Sequence, residues 1–118
     1  MSIGARRATQ PRYNVSFRVR CSWEGQEFDG TCRNLSVGGM YLETPKNLNR
    51  DSELHLKFCL PVVDEKIEVD GKVRWKKSQG FRHAAGIQFF SPTNPRGLKP
   101  QHLWALNTFF KKPSNSSK

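Results

Sequence analysis

Nine consecutive residues alternate strictly: Val15, Phe17, Val19, Cys21 and Trp23 are apolar, and Ser16, Arg18, Arg20 and Ser22 are polar. Successive side chains of an extended chain point to opposite faces, so this period of two predicts a half-buried strand at 15–23. The same signal recurs along the chain. Trp23-Glu24-Gly25-Gln26 reads as a hairpin turn into a second strand at 27–35, in which Phe28 and Cys32 share a face. A short third strand at 40–44 follows the Gly38-Gly39 pair and stops at Pro45. Leu54, Leu56, Phe58 and Leu60 alternate with His55, Lys57 and Cys59 to give the fourth. Ile67, Val69, Val73 and Trp75 give the fifth, where Gly71 marks a bulge or a sharp bend. Ala85, Ile87 and Phe89 give the sixth, after a loop at Gly80.

Six short strands with one apolar face each cannot bury those faces separately. A sheet that closes on itself buries them together and exposes no edge, which predicts an all-β, six-stranded antiparallel barrel. Pro92 and Pro95 end the strand pattern, and 99–111 reads as a C-terminal α-helix. Pro100 sits in its first turn, Leu103, Leu106 and Phe110 form an apolar stripe, and Lys111-Lys112 suit its C-terminal end. Such a helix either caps a barrel opening or packs on the wall. The chain of 118 residues is one domain in length. Its expected organisation is a flexible N-terminus at 1–5, the barrel with its helix at 6–112, and a disordered polar tail at 113–118.

Twenty Lys and Arg against ten Asp and Glu leave a net charge of +10, which attracts polyanions without choosing among them. Cys21, Cys32 and Cys59 are odd in number and form no C-x-x-C, so neither a disulfide framework nor a metal site is expected. No apolar leader opens the sequence and no run approaches the roughly 18 apolar residues of a membrane span. The expectation is a cytoplasmic protein that does not insert into membranes.

The order of six strands and a final helix resembles a PilZ domain. So do the turn Asn34-Leu35-Ser36-Val37-Gly38-Gly39, the strand Val73-Arg74-Trp75 and the strand Gly86-Ile87-Gln88-Phe89. The resemblance runs from about Arg6 to Phe110. It implies a receptor for the bacterial messenger cyclic di-GMP, a ligand with two phosphates and two guanines, and it implies no other cofactor. Arg7 and Arg12 take the arginine positions in that reading, with Arg6 as a secondary candidate. An arginine forks onto a phosphate or onto guanine O6 and N7, and its plane stacks on a base. Asn34 and Ser36 flank Leu35 and so point the same way in extended chain, toward a guanine edge. Gly39 supplies either a positive φ or close approach to the ligand. Gly38, Trp75 and Arg82 complete the secondary candidates.

One departure from the family pattern stands out. The pattern is R-x-x-x-R, whereas Arg7 and Arg12 are five apart and Ala8 occupies the place of the first arginine. In a strand that shift would turn the two side chains to opposite sides and add about 3.3 Å. A loop absorbs it by bulging. If it is absorbed, ligand orders the N-terminal arm and presents a new surface to an effector protein. If not, the domain serves as a protein-interaction adaptor in pilus or motility control.

The remaining features fit packing. Periodicity places Trp75 on the face of Ile67, Val69 and Val73, hence in the core, although the resemblance also allows it to stack on a guanine. Phe17, Trp23 and Phe58 likewise lie on apolar faces. A single-strand-binding barrel is therefore disfavoured, and Arg18, Arg20, Lys72, Arg74 and Lys76 leave only weak, salt-sensitive attraction to nucleic acid. His55, His83 and His102 fall on unrelated elements and no Ser, His and acid set is evident, so no catalytic residue is expected.

Overall fold

The alternation is realised as β1 (Tyr13–Trp23), β2 (Gln26–Ser36), β3 (Gly39–Thr44), β4 (Glu53–Leu60), β5 (Glu65–Gln79) and β6 (Arg82–Phe89), followed by α1 (Pro100–Lys111). The computed structural model describes residues 12–61 and 63–111. The expected flexible start at 1–5 and polar tail at 113–118 lie outside the described residues, as do Arg6 and Arg7. Neighbouring strands pair antiparallel in the order β1-β2-β3-β6-β5-β4, and β4 pairs back onto β1. The expected closed six-stranded barrel with a C-terminal helix is the fold.

Inside it, Val19 and Cys21 of β1, Cys32 and Leu35 of β2, Leu42 of β3, Leu54, Leu56, Phe58 and Leu60 of β4, Ile67, Val69 and Val73 of β5 and Ile87 of β6 supply one apolar core. Glu24 and Gly25 both have positive φ, 51° and 77°, the geometry of the two-residue turn whose twist matches that of its strands. The β1–β4 seam is the short one, holding only Arg20↔Lys57, Cys21↔Leu56 and Ser22↔His55. Beyond it Phe17 and Phe58 stack with centroids 5.5 Å apart. Helix α1 lies against β4 and β5, burying His102, Ala105 and Leu106, and its Phe110 stacks on Tyr13 at 4.0 Å. Burial holds the His102 imidazole below its ordinary pKa, so it packs as a neutral ring.

The segment between β6 and α1 is fastened by one side chain. Arg96 donates from Nε to Asp70 Oδ2 at 2.5 Å and from Nη2 to Glu53 Oε1 at 2.8 Å, linking β5 and β4. The backbone follows suit, with Asp70 N–H donating to the Arg96 carbonyl at 2.9 Å. His55 Nδ1 meets the other Asp70 oxygen at 2.6 Å. Burial alone would raise the Asp70 carboxyl, but the hydrogen bonds and charges of His55 and Arg96 outweigh it and hold the pKa below the ordinary value.

That depressed pKa fixes the sign of a pH dependence. A carboxylate favoured in the folded state contributes its full stability above the unfolded pKa of about 3.9 and loses it as pH falls through the lower folded value. Replacing Asp70→Asn is expected to lower the unfolding free energy at pH 7 by about 1–3 kcal/mol. In chemical denaturation the gap between the two proteins should then narrow below about pH 4.

Candidate functional site

Two single-residue irregularities decide what the outer wall displays. Along β2, Phe28, Gly30 and Cys32 are buried and face inward, and unbroken alternation would send Asn34 inward after them. The β2–β3 register shifts between Cys32 and Asn34, so that Cys32 pairs with Leu42 and Asn34 with Tyr41. Arg33 is the extra residue, and Asn34 emerges on the outside. On β5 the register shifts between Val73 and Trp75, pairing Val73 with Ile87 and Trp75 with Gly86. The bulge turns Trp75 outward, where it is 39% exposed.

This corrects the periodicity reading, which placed Trp75 in the core. Gly71 itself keeps a regular register on both sides; its role is to admit Ile87, whose Cγ2 would lie 2.5 Å from any Cβ there. The bulge comes later, at Arg74.

Together the registers line up one row across five strands: Asn14, Asn34, Tyr41, Gly86 and Trp75, each paired with the next. From Asn34 to Trp75 it crosses three strand spacings, about 14 Å. Gly86 is the gap that lets the aromatics meet, since a Cβ there would collide with the Trp75 indole nitrogen. Tyr41 packs edge-on against Trp75 with centroids 5.4 Å apart, and Lys77 Nζ stands 6.0 Å above the Tyr41 ring. Tyr41 went unremarked in the sequence, yet its signal was there: Met40 and Leu42 are apolar, which leaves Tyr41 on the opposite face.

Arg12 reaches the same row. Its Nη1 donates to Asn34 Oδ1 at 2.9 Å, which joins the arginine segment to the turn motif directly. Arg7 and Arg6 fall outside the described residues.

The other motif residues shape the turn. Ser36 is only 3% exposed, and its hydroxyl accepts from the Gly38 N–H at 3.1 Å while donating to the Gly39 carbonyl at 3.4 Å. Gly39 lies where β3 passes β6, and a Cβ would run into the Ile87 carbonyl oxygen. Close backbone packing, not positive φ, is therefore what requires glycine there; among the described residues the positive-φ glycines are Gly25 and Gly80. The Gly38 carbonyl accepts from the Phe89 N–H at 2.8 Å and ties the turn to β6.

Arg82 is exposed at the start of β6 and lines a cleft of about 400 Å³ with Tyr41, Glu43, Lys77 and Phe81, so the cleft adjoins the row through Tyr41. Cys21 and Cys32 point into the core, where burial pushes both thiols up to about 12. At neutral pH they are packing groups rather than nucleophiles. His55 and Asp70 form a close pair, but Asp70 is engaged by Arg96, on the β4–β5 side away from the row. Among the described residues no group of His, Cys, Asp and Glu could hold a metal ion.

A family model described as PilZ domain matches residues 6–103. Among solved structures, the inhibitor of motility MotI/DgrA of Bacillus subtilis superposes with a TM-score of 0.69 at 17% identity, covering 89% of this chain and 53% of that one. PlzA of Borreliella burgdorferi, solved in complex with c-di-GMP, superposes with a TM-score of 0.65 at 15% identity, covering 93% of this chain and 43% of that one. At these identities the likeness is one of fold, and the chain spans about half the length of the structures it matches. No curated protein matches it.

The aromatic end of the row can be tested without a ligand. Gly86→Ala should displace the indole of Trp75, separating it from Tyr41 and shifting the tryptophan emission maximum, while the circular dichroism of the barrel persists. An emission spectrum identical to the parent protein would show that the indole does not lie over Gly86.

Proposed function

The chain belongs to the PilZ domain family, and from that premise we propose that it is a receptor for cyclic di-GMP whose site is the outer row between Asn34 and Trp75. The observation that carries this reading is the hydrogen bond from Arg12 to Asn34, at 2.9 Å. It brings the two halves of the family motif to one place. One N–H of the Arg12 guanidinium is used in that bond, and four donors remain for a phosphate or for guanine O6 and N7. The Asn34 amide keeps its own two donors for a guanine edge.

In this reading Arg7 and Arg12 hold phosphate and guanine, and Asn34 faces the second guanine. Ser36 and Gly39 keep the turn in the shape that presents it. Arg6, Gly38, Trp75 and Arg82 are secondary contacts, with Trp75 turned outward at the far end of the row. No reaction is catalysed. Ligand draws the N-terminal arm onto the barrel in the cytoplasm and so creates a surface that an effector protein recognises. PlzA, part of which shares this fold, was solved in complex with c-di-GMP, and this supports the ligand class.

A second reading is favoured by one feature, the five-residue step from Arg7 to Arg12. It would leave Arg7 short of the ligand and make the domain an adaptor that engages protein without strong cyclic di-GMP binding. A relative named for inhibiting motility has the same fold.

Calorimetric titration with cyclic di-GMP at physiological salt separates the two. Binding is expected, and Arg12→Ala should weaken it by about ten- to a hundredfold, the equivalent of one charged hydrogen bond of roughly 1.5–3 kcal/mol. No heat and no thermal shift at about 100 μM, a threshold of roughly 5.5 kcal/mol, would select the adaptor reading. Full affinity in both Arg12→Ala and Asn34→Ala would move the site off this row.

A further inference from the structure

Strand β5 is longer than the barrel needs. Its fifteen residues pair with β4 only from Glu65 to Lys72, because β4 begins at Glu53, the partner of Lys72. Val73 is completed by the preceding loop, its carbonyl accepting from Asp51 N–H at 2.8 Å and its N–H donating to the Ser52 carbonyl at 2.9 Å. From Arg74 to Gln79 the strand pairs with β6 alone. In an antiparallel pair, alternate residues turn their N–H and C=O away from the partner. Along this stretch those groups form an open edge with no backbone partner among the described residues.

All six residues of that edge are exposed, and three of them are Arg74, Lys76 and Lys77. Beyond the bulge, Lys76 pairs with Ala85 and Lys77 with Ala84, so the two lysines project from opposite faces of the ribbon. None of the three cations takes part in an ion pair among the described residues. At the hairpin tip, Gly80 turns with φ 60° and Phe81 stands 96% exposed.

We propose that Arg74 to Gln79 is a docking edge for an extended acidic segment of another protein, which adds to the sheet as a strand beside β5. Strand addition satisfies the open N–H and C=O groups, and acidic side chains on both faces of the incoming strand meet Arg74, Lys76 and Lys77. Phe81 offers an apolar contact where the segment leaves the edge. The same cations exclude other occupants. A second copy of this edge would bring lysines opposite lysines, which is how bare edges are kept from self-pairing. The sequence at either end of the chain is also basic, with Arg6 and Arg7 before the barrel and Lys112 and Lys118 after it. An anionic lipid surface would meet the charge and Phe81, but it cannot complete a row of backbone hydrogen bonds. The edge shares Trp75 with the outer row, but its open backbone groups and its cations are independent of any nucleotide contact, so the inference does not rest on the cyclic di-GMP reading.

The test uses the full chain without nucleotide and a synthetic peptide of about eight residues rich in Glu and Val, with a Lys and Val peptide as control. Amide exchange followed by NMR should slow by about tenfold or more at 74–79 with the acidic peptide and stay unchanged with the basic one. Salt should weaken the effect. Lys76→Glu combined with Lys77→Glu, both at exposed positions, should abolish it for the acidic peptide and create it for the basic one. No protection at 74–79, equal protection by both peptides, or equal protection in the charge-reversed variant would each overturn the proposal. So would phosphatidylserine vesicles perturbing 74–81 where the acidic peptide does not.

Discussion

A side chain on a strand has two directions available, and in a closed barrel one of them leads into a core that accepts only apolar groups. Everything displayed on this wall depends on how β2 and β5 handle that restriction. Without Arg33 as an extra residue, Asn34 would follow Cys32 into the core and its amide would lack water and partner alike. Without the shift after Val73, the Trp75 indole would be driven into an interior already filled by Ile67, Val69 and Ile87. Each bulge inverts the phase of one strand, and pairing with β3 and with β6 resumes beyond it. The two strands between them, β3 and β6, stay regular, and this brings Asn34, Tyr41, Gly86 and Trp75 into one row.

The part of the fold written as simple alternation was legible. All six strands and the helix lie where period and breakers put them, because a half-buried strand must repeat every second residue and a proline or glycine pair must interrupt it. The bulges were not legible, since an inserted residue leaves composition unchanged and shows itself only against a partner strand. Trp75 illustrates the cost. Counted from Val73 it belongs to the core; paired with Gly86 it belongs to the surface. Gly86 stands out in the sequence only as part of a family-like strand, although a glycine in a strand interior is a place where something large passes close by.

Long-range polar contacts were equally hidden. Asp70, Arg96, Glu53 and His55 come from two strands and a loop and form one network. Nothing in the spacing of a lone aspartate and an arginine 26 residues later announces it. The β4–β5 ladder ends at Glu53↔Lys72, and the loop held by Arg96 braces both strands at that end. The unpaired stretch of β5 that follows is a consequence of strand lengths rather than of any motif.

The Asn-x-Ser-x-x-Gly sequence therefore divides into residues that build and one that presents. Ser36 spends its hydroxyl inside the turn, and Gly39 makes room for the Ile87 carbonyl. Asn34 is the member held out on the wall, with Arg12 bonded to it. This anchoring changes the meaning of the altered arginine spacing. With Arg12 fixed at Asn34, the register of the second arginine is set by the wall, and the extra residue can be accommodated only on its N-terminal side, between Arg7 and Arg12. In the receptor reading the reach of Arg7 turns on the four residues between the two arginines, and if these form a loop one added residue costs well under about 1 kcal/mol of chain entropy. The same departure would be decisive if the strand continued through it, and the receptor and adaptor readings therefore divide on that short stretch alone.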